Sequence, residues 1–159
     1  MLTLTRKTEY AIIAVSHLAN AGDKVVSARD IAEQHSVPLP LLMNVLKRLN
    51  RTGHVNSVRG ARGGYMLALP PGKISLADLI AAVEGPVHLT RCTNTAKTRR
   101  VCGLTSTCPV RSSLVKVHQR LYSFLSSVTI ADLAFDSRSR QENGPGDGPA
   151  EPAARVIAT

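Results

Sequence analysis

Tryptophan is absent from the 159-residue chain, and only three Tyr and two Phe stand in for it. Any core must therefore be aliphatic, and 43% hydrophobic residues supply enough Leu, Val, Ile and Ala to build one. The length fits one domain with additional segments. No apolar run approaches the roughly 18–20 residues that a membrane span needs, so no membrane partner is expected. Met1 to Tyr10 carries Arg6, Lys7 and Glu9 where a secretory signal needs an apolar stretch, which points to a cytoplasmic protein. Cysteine is scarce too: three residues, an odd number, complete no disulfide framework, and in a reducing compartment clustered thiols serve as ligands or redox groups. No nucleophile and base constellation or nucleotide loop is visible, so the chain does not read as an enzyme.

Acidic residues are outnumbered, 11 against 20 Lys and Arg, for a formal charge of +9. The surplus is uneven. Residues 1–135 hold 17 basic and seven acidic side chains, whereas residues 136–159 hold three and four. The basic character belongs to the part that can fold, where it suits a nucleic-acid partner or serves solubility.

Apolar spacing predicts a first helix over Thr5 to Ala21, with Ala11, Ala14, Val15 and Leu18 on one face and a stop at Gly22. Ser27 and Asp30 have the spacing of a capping box and introduce a short helix, Ala28 to His35. After the break at Pro38, Pro40 suits the first turn of a third helix whose Leu42, Val45, Leu46 and Leu49 face inward until Gly53. Its outer face carries Asn44, Lys47, Arg48 and Arg51. Val55 to Val58 and Tyr65 to Leu69 read as two strands joined by a basic, glycine-rich loop holding Arg59 and Arg62.

Two short helices, a third helix and a basic hairpin make a winged helix-turn-helix, although an ordinary small α+β module obeys the same packing rules. In the former, Leu39 to Asn44 would read bases, with Asn44 the side chain suited to adenine and Pro40 and Met43 offering apolar contact to thymine methyls. Arg59 and Arg62 would reach the backbone and grooves.

Ser75 and Asp78 repeat the capping-box spacing ahead of a bridging helix, Leu76 to Val83. From His88 to Pro109 the periodicity disappears, and all three cysteines fall there. A long helix then carries Leu114, Val117, Leu121, Phe124, Leu125 and Val128 as a seam that needs a partner, either the first helix or a second copy. The expected organisation is a mainly α chain with a small β-hairpin wing: a winged domain over 1–86, a cysteine-containing loop over 87–109, a dimerisation helix over 110–135 and a disordered tail over 136–159.

The order of these motifs resembles the bacterial winged-helix regulators typified by the iron-sulfur regulator IscR and the nitric-oxide-sensing repressor NsrR. The resemblance covers about residues 1–135. It rests on Leu4-Thr5 with Thr8-Glu9-Tyr10-Ala11, on Ser57-Val58-Arg59-Gly60 with Gly63-Gly64-Tyr65, and on Ile74-Ser75-Leu76-Ala77-Asp78 with Val83-Glu84-Gly85-Pro86. The three cysteines and Val128-Thr129-Ile130-Ala131-Asp132-Leu133 complete it.

The resemblance implies a homodimer on a double-stranded DNA operator, with the third helix in the major groove and Arg59 in or beside the minor groove. It further implies an iron-sulfur cluster, of two-iron or four-iron type, held by Cys92, Cys102 and Cys108, with Glu9 of the other subunit as a ligand in the nitric-oxide-sensing branch. Nine residues separate Cys92 from Cys102, a longer interval than is usual in the family. Ile13 and Arg111 stand where some relatives carry a ligating histidine, and neither can ligate.

Three thiolates hold most of a cluster and leave a labile fourth position where a signal can act. Arg91, Arg99, Arg100 and Arg111 flank the cysteines and would favour thiolate. The same cysteines could instead be structural, thiol-redox residues, or zinc ligands with His88 or His118. His17, His35 and His54 read as surface or helix-end residues. The expectation is thus a transcription regulator, a repressor, whose operator affinity follows the state of a cluster sensing nitric oxide, redox state or iron and cluster status. Its rivals are a cluster-free regulator under thiol or partner control, and a small iron-sulfur redox protein or enzyme.

Overall fold

The structure, a computed structural model, describes residues 3–60, 62–90, 102 and 107–135. The expected tail over 136–159 and Cys92, with most of the 87–109 loop, lie outside the described residues. Helix α1 spans Arg6–Ala21, and the Thr5 hydroxyl caps it by accepting from the Thr8 amide at 3.3 Å. Ser27 caps α2, Ala28–Gln34, in the same way, accepting from the Asp30 amide. Helix α3, Leu39–Arg51, begins after Pro38 with Pro40 in its first turn, where a missing N–H costs nothing. It ends ahead of Gly53, whose φ of 77° turns the chain toward the sheet.

Strand β1, Val55–Val58, pairs antiparallel with β2, Gly64–Leu67, in the register Val55 to Leu67 and Val58 to Gly64. Strand β2 stops two residues short of the expected Leu69. The Ala68 amide turns to the His54 carbonyl at 3.0 Å, and Pro70 and Pro71 have no amide hydrogen with which to continue a ladder. On its other edge β2 meets Val26 through the two bonds between Val26 and Tyr65. This close approach explains Gly64, since a Cβ there would collide with the Val26 carbonyl.

A 3-10 turn at Pro71–Lys73 leads to α4, Leu76–Glu84, whose start is a complete capping box between Ser75 and Asp78. The core is aliphatic as composition requires: Val15, Leu18, Ile31, Leu42, Leu46 and Leu49 are wholly buried where α1, α2 and α3 meet.

Helix α5 spans Arg111–Ser127. It ends where the apolar spacing does and does not fill the 110–135 span expected for the dimerisation helix. At Val128 the backbone becomes extended, and the Leu76 amide donates to the Val128 carbonyl while the Ile130 amide donates to Ile74. Thr129 and Asp132 form a second capping box, with the Thr129 amide 2.8 Å from Asp132 Oδ2, and start a separate helical segment over 130–135. Ile130 and Ala134 of that segment are fully buried in the core of the winged domain.

Candidate nucleic-acid interface and cysteine centre

The four buried residues of α3 hold that helix down by one face, so its opposite face is presented by default. Pro40, Asn44, Lys47, Arg48 and Arg51 are all exposed there, whereas Met43 is half-buried against the core and presents less of itself than expected. Arg48 does more than face outward. Its guanidinium donates to the Val83 carbonyl at 2.7 Å and so satisfies an acceptor at the C-terminal end of α4, where a cation is also favoured by the helix dipole.

Beside this face is a groove of about 520 Å³, walled by Leu41, Asn44, Lys47, Arg48 and Arg51 from α3, by Val83 from α4, and by Arg6, Lys7 and Tyr10 from α1. Five cations from two helices thus border one concavity. Arg6 and Lys7 were legible as a basic pair at the head of the first helix, but only the fold shows that this head stands against α3. Nearby acids offset part of the charge: Glu9 accepts from Arg6 at 3.2 Å, and Glu84 accepts from the Thr5 hydroxyl at 2.6 Å. Arg59 and Arg62 are exposed on the loop between β1 and β2, which Gly60 turns with a φ of 125° and a bond from the Gly63 amide to its carbonyl.

The cysteine centre is partly described. Cys102 and Cys108 are half-buried, and Cys92 lies outside the described residues. Among the described residues no group of three or more His, Cys, Asp or Glu side chains could hold a metal ion. His88 and His118 stack with ring centroids 6.2 Å apart, and His118 also meets Tyr122. The Nδ1 atoms of both histidines are buried without a hydrogen-bond partner among the described residues. Glu9, half-buried on α1, is engaged by Arg6 at 3.2 Å.

Two of the histidines read as surface or helix-end residues come together: His17 and His35 meet at 2.9 Å. His54 bonds the Thr52 hydroxyl at 2.8 Å, and burial pushes its pKa down while the Asp78 charge works against that shift.

A trihelical core, a basic helix held outward and a basic wing define a winged helix-turn-helix DNA-binding protein. The chain belongs to the Rrf2 family, described as an iron-dependent transcriptional regulator, which it matches over residues 4–136. It is 37% identical over 133 residues to a helix-turn-helix-type transcriptional regulator of Haemophilus influenzae, covering 83% of this chain and 86% of that one. With IscR of Xenorhabdus nematophila it shares 32% identity over 148 residues, 89% of this chain and 88% of the relative. Among solved structures, T. potens IscR is 28% identical with a TM-score of 0.67, over 92% of this chain and 94% of that one. CymR, the global cysteine regulator of B. subtilis, is 26% identical with a TM-score of 0.68, over 86% and 98%. The protein is a DNA-binding transcriptional regulator, and its relatives are regulators rather than enzymes. No helix among the described residues is long and apolar enough to cross a membrane.

Proposed function

We propose that the chain acts as a homodimeric repressor whose operator affinity is set by an iron-sulfur cluster responding to nitric oxide, redox state or iron and cluster status. One observation carries this reading: Cys108 stands at the foot of α5, a helix on which Val117, Tyr122 and Phe124 stay exposed among the described residues. The Arg111 amide donates to the Cys108 carbonyl, so a change at the thiol is a change at the start of that helix.

On the DNA side, Asn44 reads an adenine edge, Pro40 and Met43 touch thymine methyls, and Lys47, Arg48 and Arg51 neutralise phosphates. Arg6 and Lys7 extend that phosphate track from α1, while Arg59 and Arg62 on the wing flank the minor groove. On the sensing side, Cys92, Cys102 and Cys108 would hold the cluster, with Glu9 of the second copy as the fourth ligand. The donor types fit: thiols are the ligands iron-sulfur clusters take, and the two unpartnered ring nitrogens of His88 and His118 add basic donors on the same segment and helix. A bound cluster supplies an exchangeable ligand position and an electron-accepting centre. Coupling follows by linkage: two recognition helices must sit about 34–36 Å apart or a multiple of that, and a few kcal/mol of preference between arrangements of α5 decides whether they do.

Anaerobic purification with iron and sulfide analysis, absorption spectroscopy and operator binding before and after cluster removal tests this. A coloured dimer whose affinity changes on cluster loss is the expected result. Colourless, iron-free protein whose operator binding responds to thiol oxidation would replace the cluster by direct thiol control, the reading favoured by the likeness to a cysteine regulator.

A further inference from the structure

His17 on α1 and His35, the residue that ends α2, are 18 positions apart in sequence and are brought together by the fold. Nδ1 of His17 lies 2.9 Å from Nε2 of His35, and the rings are perpendicular with centroids 5.1 Å apart. Two imidazoles at this distance can share a proton in an N–H···N bond. The same distance is also the bite of one metal ion: with metal to nitrogen bonds of about 2.0–2.1 Å, neighbouring ligands stand roughly 2.9–3.4 Å apart for angles between square and tetrahedral.

The surroundings suit a cation. The pair opens on a groove of about 590 Å³ that Ile12, Ile13, Ala21 and Leu133 line together with Ser16, Asn20 and Gln34, and the oxygens of these three and solvent can fill the remaining positions. Burial, reinforced by the neighbouring His35, lowers the pKa of His17, which favours the neutral ring that a ligand must be, and the Asp30 charge lies close enough to oppose that shift. Imidazole nitrogen favours zinc, nickel and copper over calcium or magnesium.

We propose that His17 and His35 form a two-histidine site for a borderline divalent cation of the zinc, nickel or copper class, separate from the cysteine centre. Such an ion joins α1 to the turn of the helix-turn-helix. Ser36, the next residue, is the non-glycine position with a positive φ, 52°, among those described, so the ion pins the chain where α2 turns toward α3.

The probe is Ni²⁺, titrated calorimetrically into the full-length protein. In wild type and in Cys108→Ser alike, whatever else the cysteines take up, one binding event should be present that His17→Gln and His35→Gln each weaken about tenfold or abolish. Bound Ni²⁺ should also raise the melting temperature of wild type and leave both histidine variants unmoved. Superimposable isotherms for wild type and both variants would overturn the site. A readout on unmutated protein guards against a folding defect: Ni²⁺ should protect His17 and His35, but not His54, from carbethoxylation by diethyl pyrocarbonate. Equal labelling with and without the ion rejects the proposal.

Discussion

The winged half and α5 are built from the same aliphatic residues and bury them very differently. In the winged half Leu18, Ile31, Leu42, Leu46 and Leu49 are wholly enclosed by their own chain, and Ile130 returns from beyond α5 to join them. Helix α5 has no buried residue; Val117 is 52% and Phe124 62% exposed. Amphipathic helices owe most of their stability to tertiary cover, so α5, half-covered at Leu114, Leu121 and Leu125 but open at Val117 and Phe124, has room for a partner, whereas the winged half closes on itself. Such a division fixes the geometry of the DNA-reading half and leaves the exposed apolar side chains on α5.

The contrast can be broken most severely from the closed side. Leu46→Ala should cost about 2–5 kcal/mol by opening a cavity among three helices, seen as a lower denaturation midpoint with an unchanged slope. A loss under 1 kcal/mol would mean that this core is less closed than it looks. From the open side, Phe124→Asp should leave the winged fold intact but remove about 1.5–3 kcal/mol per protomer of cover between copies. Sedimentation should then show dissociation at concentrations where wild type is paired, and an unchanged dimer would move the interface away from α5.

Arg59→Ala should touch neither half's packing. It should weaken operator binding about tenfold and make the salt dependence shallower by about one unit in the log–log slope, and an unaltered slope removes the wing from the DNA contact.

The smallest effect is a pH dependence confined to the winged half. His17 and His54 titrate below their ordinary value of 6.5 when folded, so the unfolded chain binds more protons in that window. Their contribution is therefore complete above pH 6.5 and is lost as the pH falls below it. Asp132, whose carboxyl is held down by the Thr129 hydroxyl and amide, adds a second loss at still lower pH. Melting temperatures that rise on acidification from pH 7 would contradict both.

Much of the fold was legible because its signals are local. The Ser27 and Ser75 caps, the inward stripe of α3 and the strand β1 fall where residue spacing put them. The break after α5 was not: the apolar seam stops at Val128, but the expected helix ran on to 135 through Thr129 and Asp132, which carry the capping pattern seen twice earlier. Backbone bonds from Leu76 and to Ile74 decide that point, and they span more than fifty residues. The site shows the same division. The basic face of α3 is a matter of helical period, but the bond from Arg48 to Val83, the arrival of Arg6 and Lys7 beside it, and the pairing of His17 with His35 depend on which helices become neighbours.

The two capping boxes deserve a mechanical reading. Ser75 and Thr129 face each other across a short bridge, each bound into its own box, and Ile130 sits locked in the core just beyond. The far end of α5 is thus anchored to the winged half, while its near end begins just after Cys108. Any tilting of α5 against α4 would pivot near Val128, as a lever does about a fulcrum. Seventeen residues at about 1.5 Å each give that lever an arm of about 25 Å. A tilt of a few degrees at the fulcrum would displace the Cys108 end by an ångström or more, which is the gearing that the proposed control at the cysteines would use.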